Sequence, residues 1–367
     1  MEELSMKNIL MSTAAIAGLA LVAAAPARAD EPALQLGLGG YISGYAVYTD
    51  QDDAAAETRE FDFRKDTEIH LNGEVALDNG ITAGAHLEIL ADRANDSEIE
   101  ESYLYMSSSW GRVNLGEEDG IAYLLQVGAP SADDKIDGIR PDIGTFTTGL
   151  GGTNNNGGTI DYAQDPTGYA NKLTYITPVF NGFQAGASFT PSVTDADLDG
   201  LSPAAISDDG ELENAWEVAA RYEGSFDAID LAIGAGYSKL STEDGTVAGD
   251  DDLDVWNVGA NIGFGAFGFG AAFMNSEGGL AAADDEMDTM VAGIDYTTGP
   301  YKLGASYLNL DGDVGGVDVE ADRWTAGVIY EWGPGMTFRG AVQFQDAEAG
   351  AADGEGTQVT LGTQLEF

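Results

Sequence analysis

The sequence predicts an all-β chain that closes into a 16-stranded antiparallel transmembrane β-barrel. Three observations predict it. Apolar residues alternate with small or polar ones in segment after segment; the segments are even in number; and their connections alternate between tight reversals and long acidic loops.

Taken in order, the strands are expected near residues 34–48, 61–77, 81–92, 98–108 and 111–117. Asp78-Asn79-Gly80 and Ser109-Trp110-Gly111 supply reversals among these five. Two more, 171–178 and 183–191, flank Phe180-Asn181-Gly182. In 213–223 the apolar face is Trp216, Val218, Ala220 and Tyr222, and in 229–240 it is Leu231, Ile233, Ala235 and Tyr237. The run from Val258 to Met274 is long and apolar enough to imitate a membrane helix, but its glycines and its phenylalanines on a two-residue beat around Gly265-Ala266 make it a hairpin, 253–264 and 267–275. Strands 286–297 and 301–310 meet at Thr298-Gly299-Pro300. In 318–332, Trp324, Ala326, Val328, Tyr330 and Trp332 share one face; after Gly333-Pro334-Gly335 the alternation resumes in 336–346, and 356–367 ends the chain. No segment after residue 30 is predicted as a helix.

Lipid offers no partner to backbone amides, so a spanning sheet must close on itself and turn an apolar face outward. Strands of about ten to twelve residues, tilted by roughly 45°, cross the apolar band. A soluble sandwich or propeller also alternates, but it gives no reason for Tyr, Trp and Phe to mark strand ends.

Residues 1–29 read as a signal peptide: Lys7 in a polar start, an apolar run from Ile9 to Ala25, then Ala27-Arg28-Ala29 before cleavage at Asp30. Glu2 and Glu3 are atypical there, which makes Met6 an alternative start to Met1, and an uncleaved anchor is the competing reading of the segment. The barrel then occupies 30–367. The chain carries 63 Asp and Glu against 15 Lys and Arg, a formal charge of -48, and no Cys. So acidic a surface is a poor match for nucleic acid, and the missing cysteine excludes thiol catalysis and disulfide scaffolds. An apolar fraction of 44% argues against disorder.

Several segments resemble the trimeric general porins of Gram-negative outer membranes, in particular the alphaproteobacterial branch. Asn171-Lys172-Leu173-Thr174-Tyr175-Ile176-Thr177-Pro178-Val179-Phe180-Asn181-Gly182-Phe183 is similar to the family's hairpin N-x-x-x-Y-x-[ST]-P-x-F-x-G-F. Ser102-Tyr103-Leu104-Tyr105 through Gly111-Arg112-Val113-Asn114-Leu115-Gly116 is similar to its preceding turn and strand. Phe367, closing an alternating strand with Val359, Leu361 and Leu365, resembles the terminal aromatic assembly signal of such barrels. The resemblance implies export to the outer membrane, contact with lipid and lipopolysaccharide, a homotrimer, and passive diffusion of small hydrophilic solutes and ions without a cofactor.

It also implies that the long connection, 117–170, folds into the barrel and constricts it. Its acids, Glu117, Glu118, Asp119, Asp133, Asp134, Asp137 and Asp142, become the acidic side of an eyelet, with Asp161 and Asp165 further along and Lys135 and Arg140 as the loop's cations. Strand parity supplies the basic wall expected opposite: Arg64, Arg112, Arg221, Lys302, Arg323 and Arg339, with His86 between the first two. A transverse field between the two favours polar solutes. The competing reading is that the inward cations keep the wall polar and tie the loop down by ion pairs.

The acid-rich loop ends, Asp50-Gln51-Asp52-Asp53, Asp208-Asp209, Asp250-Asp251-Asp252 and Asp284-Asp285-Glu286, predict a negative mouth and cation selectivity. The same acids also fit a saline habitat. Ca²⁺ bridging these loops is the metal role considered for them, although none has the spacing of a dedicated calcium loop. His70 and His86, the only histidines, fall on the inward side of one hairpin, His70 near Glu88 and His86 near Asn72; with Glu68, Glu74 or Glu88 they form the single metal-ligating candidate, and the bland reading is a polar lumen wall. No catalytic motif accompanies them, so the chain reads as a non-enzyme. Alternatives are a porin selective for sugar or phosphate, and a structural or adhesion barrel. A sugar path needs lumen aromatics, whereas most Tyr and Trp have lipid-side parity; phosphate selection needs a basic constriction.

Overall fold

The computed structural model describes residues 34–51, 59–91, 98–144, 146, 160–193, 212–242, 252–278, 285–350 and 352–367. The signal-peptide reading, and Asp52, Asp53, Asp208, Asp209, Asp250, Asp251 and Asp284 of the acidic runs, lie outside these residues.

The strands are β1 (Gln35–Gln51), β2 (Phe61–Ala76), β3 (Thr82–Leu90), β4 (Glu98–Ser108), β5 (Gly111–Glu117), β6 (Asn171–Ile176), β7 (Phe183–Ser192) and β8 (Leu212–Phe226). They continue as β9 (Ile229–Thr242), β10 (Leu253–Phe264), β11 (Phe267–Glu277), β12 (Glu286–Thr298), β13 (Tyr301–Val314), β14 (Val317–Gly333), β15 (Met336–Ala349) and β16 (Ala352–Glu366). Each pairs with its sequence neighbours, and β1 pairs with β16 from Tyr41↔Glu366 to Gln51↔Gly356, so the sheet is a closed barrel. At the seam the Phe367 and Gly40 backbones exchange two hydrogen bonds of 3.1 Å.

Side chains on successive strand residues point to opposite faces, so the period-two pattern decides what each face meets. The large apolar residues are on the outside. Phe63, Leu104, Trp216, Val258, Trp324 and Leu361 are all exposed, whereas their strand neighbours Asn257, Arg323, Thr325 and Thr360 are buried. An apolar face turned outward and a polar face turned inward is the reverse of a soluble sandwich.

Aromatic rings mark two levels on that outer face. Near the short turns Phe267 meets Tyr296 at 4.6 Å, Tyr301 meets Tyr330 at 4.9 Å and Trp332 meets Phe338 at 5.7 Å between centroids. Toward the other end Phe189 meets Trp216, Trp256 meets Phe273, and Tyr307 meets Trp324. Trp324 and Trp332 belong to one strand and one face, and the strand between them is about 26 Å long, which at a tilt of roughly 45° crosses about 19 Å, most of the apolar band.

Two details depart from the sequence expectation. The last two connections on the long-loop side are short: β13 runs on to Val314 and reverses at Gly315 and Gly316, both with positive φ, and β15 ends at Ala349 while β16 begins at Ala352. Alternation continues beyond the membrane band there and keeps the ladder going. The long connection between β5 and β6 contains two single helical turns, α1 (Ile121–Leu124) and α2 (Asp134–Asp137). Asp133 caps α2 by accepting from the Lys135 amide. Among the described residues no helix is long and apolar enough to cross a membrane; the crossing elements are strands.

Candidate functional site

The segment between β5 and β6 is held by the inward faces of other strands. The Ile121 amide donates to Ser188 Oγ at 3.1 Å, and buried Glu217 accepts from the Ala122 amide at 3.2 Å and from Thr167 at 2.8 Å. Gln164 donates to Ser238 and to the Val255 carbonyl at 2.8 and 2.9 Å, while Asn257 donates to Gln164. Lys172 on β6 donates to the carbonyls of Glu118 and Gly168.

Between these anchors the loop backbone runs close over a row of inward glycines. A Cβ at Gly259 would overlap the Val127 carbonyl oxygen, one at Gly293 the Pro130 carbonyl oxygen, and one at Gly304 the Ala132 amide. The three residues sit on β10, β12 and β13, each between lipid-facing neighbours, and their missing side chains form the trough in which 127–132 lies.

The predicted acids divide by what they touch. Asp137 accepts from Arg323 Nη2 at 3.2 Å and from Ser306. Asp133 accepts from Arg339 Nη1 at 2.6 Å and from the Tyr45 hydroxyl at 3.0 Å. Asp142 pairs with Lys135 at 2.8 Å, and Lys135 also reaches Asp66 on β2 at 2.8 Å. Asp119 and Asp165 hold Arg140 at 2.8 and 2.6 Å, with the Tyr123 ring beneath the guanidinium. Asp134 accepts from Ser131, Glu118 from the Asn114 amide, and Glu117 ends β5 opposite Ser102 and Asn171.

At two positions of the expected basic wall the cation meets a loop acid, as in the competing ion-pair reading. Arg323 and Arg339 bind the loop itself, Arg323 also donating to the Ile160 carbonyl at 2.6 Å. The reason is desolvation: a guanidinium covered by the loop loses its water and persists only when paired, and its acid partner is buried with it. Four of the remaining calls stay on the inward faces but at different heights. Arg112, Arg221 and Lys302 lie toward short-turn ends, with Arg112 donating to Asn114 at 2.6 Å and Arg221 pairing with Glu223. Arg64 is near the opposite end of β2, 4.0 Å from Asp62 and half exposed.

Burial pushes the Glu118 carboxyl up to about 7 and that of Asp161 up to about 6, and it raises Asp165. Burial opposes the charge of Lys135 as well, but the Asp142 and Asp66 carboxylates prevail and hold it above its ordinary value.

The wall of β2 to β5 has a different character. Glu68, His70, Asn72 and Glu74 face inward on β2; His86 and Glu88 on β3; Glu101, Tyr103 and Tyr105 on β4; Arg112 and Asn114 on β5. The pairing His70↔Glu88 and Asn72↔His86 is the one the Asp78-Asn79-Gly80 turn predicts. Arg112 lies 4.0 Å above the Tyr105 ring. Most strand Tyr and Trp face lipid, as parity predicts; Tyr103 and Tyr105, with Tyr41 and Tyr45 on β1, are the inward ones among the described strands. Sequence reasoning missed Glu217, Gln164 and the glycine trough. For Glu217 and the glycines the signal was inward parity beside Trp216, Val258 and Ile294; Gln164, on the connection between β5 and β6, had none.

A family profile for Gram-negative porins matches residues 12–350. The chain belongs to the Gram-negative porin family. Its fold resembles that of an anion-selective porin from Comamonas acidovorans, with a TM-score of 0.67 and 20% identity over 91% of this chain and 100% of that one. It is similar also to a loop-deletion form of OmpT, an outer-membrane protein of Vibrio cholerae, at 0.60 and 12% over 91% and 99%, and to a mutant porin of Rh. blastica at 0.55 and 19% over 91% and 100%. No curated protein matches the sequence. Family and fold are those of outer-membrane porins and indicate a channel rather than an enzyme.

Proposed function

We propose that the protein is a general diffusion porin in which 117–170 lies in the bore, sets its narrowest point and leaves a cation-selective passage along β2 to β5. One observation carries the selectivity: the acids Glu68, Glu74, Glu88 and Glu101 face inward there, against Arg112, stacked on Tyr105, and Arg64 beside Asp62 at the far end of β2. Fixed carboxylates in a narrow, partly dehydrated passage concentrate cations and repel anions. The anion preference in the name of the Comamonas porin belongs to that protein, and the inward charge differs from chain to chain on a shared barrel. Export on the 1–29 signal and assembly as a homotrimer in lipopolysaccharide-bearing membrane complete the reading.

The test is the reversal potential across a planar bilayer in a salt gradient. A sign that reports cation preference supports the reading, and anion preference overturns it. A sugar-selective pore is favoured by the inward Tyr103 and Tyr105 beside Arg112; it predicts that added oligosaccharide interrupts the ionic current.

A further inference from the structure

On the inward wall, two neighbouring strands bring both histidines of the chain and a ring of carboxylates to one place. Residues two apart on a strand share a face and directly paired residues stand side by side, so Glu68, His70 and Asn72 of β2 form a grid with His86 and Glu88 of β3, bordered by Glu101 of β4. His86 Nε2 lies 3.3 Å from Glu88 Oε2 and 3.6 Å from Glu101 Oε2; His70 Nε2 lies 3.9 Å from the same Glu88 oxygen and closer still to Glu68 Oε1. Ligand atoms of His70, His86 and Glu88 all lie within 4.8 Å of one another. A tetrahedral ion with bonds of about 2.0–2.2 Å separates its ligand atoms by about 3.3–3.5 Å, so the set needs only side-chain adjustment to close on one.

The orientation of His86 is the second, independent observation. Its Nδ1 faces the Asn72 Oδ1 acceptor at 2.8 Å, which assigns the ring proton to Nδ1 and leaves the Nε2 lone pair pointing at two carboxylate oxygens. Such a contact is bridged either by a proton or by a metal ion, and two imidazoles converging with carboxylates on one point are the donor set of the second. Among the described residues no lysine or arginine forms an ion pair with Glu88 or Glu101. A histidine whose remote nitrogen donates to a fixed oxygen is also how metal-ligating imidazoles are held.

We propose that His70, His86 and Glu88 form a binding site for a divalent transition-metal ion of the zinc type, with Glu68 or Glu101 as fourth ligand and Asn72 as the residue that positions His86. Imidazole nitrogen selects this class over Ca²⁺ and Mg²⁺, which take oxygen ligands. The geometry stands without the channel reading; only the consequence for current rests on it.

The experiment titrates purified, folded protein with Co²⁺ in excess Ca²⁺, which saturates sites made of carboxylates alone, and follows the visible bands of a low-symmetry nitrogen–oxygen site. The expected result is one Co²⁺ per chain, displaced by Zn²⁺. Affinity falls at least about 100-fold in the His70→Asn/His86→Asn double variant and in the near-isosteric Glu88→Gln, and about 10- to 100-fold in Asn72→Ala. Absence of Ca²⁺-resistant uptake, or equal uptake by wild type and the double variant, overturns the site. In bilayers, Zn²⁺ lowers wild-type cation selectivity and leaves the double variant unchanged. Histidine-dependent binding with no effect on current upholds the site and counts instead against the bore assigned to this wall.

Discussion

Arg323 on β14 and Asp137 on α2 form an ion pair, Nη2 to Oδ1 at 3.2 Å, with 2% and 4% of their side chains exposed. The two are 186 positions apart in sequence, and the pair fastens the middle of the connection between β5 and β6 to the barrel wall. A buried pair deprived of one partner leaves an unpaired charge and costs about 3–5 kcal/mol. Arg323→Ala is therefore expected to raise single-channel conductance by freeing the loop and to lower resistance to denaturation in detergent. Arg323→Met, which fills the volume without a charge and still orphans Asp137, is expected to behave like Ala in conductance.

Gly259 and Gly293 make a separate test, because they touch the loop without any charge. A side chain at either overlaps a loop carbonyl. Gly259→Val and Gly293→Val are expected to leave the lipid-facing surface and the strand ladder intact, to cost about 1–3 kcal/mol through overpacking, and to widen the passage. Conductance above wild type with an unchanged far-ultraviolet dichroism spectrum is the expected outcome.

Much of this was legible in the sequence, and the part that was not has a physical explanation. The outer face could be read because lipid imposes one requirement on every strand, so Trp324, Ala326, Val328 and Trp332 repeat at two-residue spacing whatever their neighbours. Parity likewise located Arg323, Arg339, His70 and His86 on the inner face. Parity says nothing about what lies opposite. Whether Arg339 stands in water or meets Asp133 depends on the path of residues 118–144, which has no period of its own. Glycines such as Gly304, blank in a hydropathy pattern, proved to be the record of that path.

Glu118 gives the proposed cation selectivity an expected pH signature. Its folded value, raised from 4.5 to about 7 by burial, means that the carboxyl gains charge as the solution passes upward through neutrality. Cation preference is expected to strengthen with rising pH over that range. The same shift has an opposite sign for stability: the folded state binds the proton more tightly than the unfolded chain, so the contribution is complete below the ordinary carboxylate value and is lost as pH climbs through about 7. Glu118→Gln is expected to flatten both profiles, read by reversal potential and by denaturation midpoint.

Phe367 is expected to serve assembly rather than stability. Its ring is exposed on the barrel exterior, while its backbone closes the seam with Gly40. Phe367→Ala keeps those two backbone hydrogen bonds. The expected outcome is a lower yield of inserted barrel in outer-membrane fractions, with a melting temperature of the inserted protein close to wild type.

Single-channel recording of a chain in which the connection between Glu117 and Asn171 is replaced by a short turn tests the constriction most directly. Larger unitary conductance together with a reversal potential nearer zero is the result expected of a loop that narrows and charges the bore. Conductance and ion preference equal to those of the intact chain would contradict it.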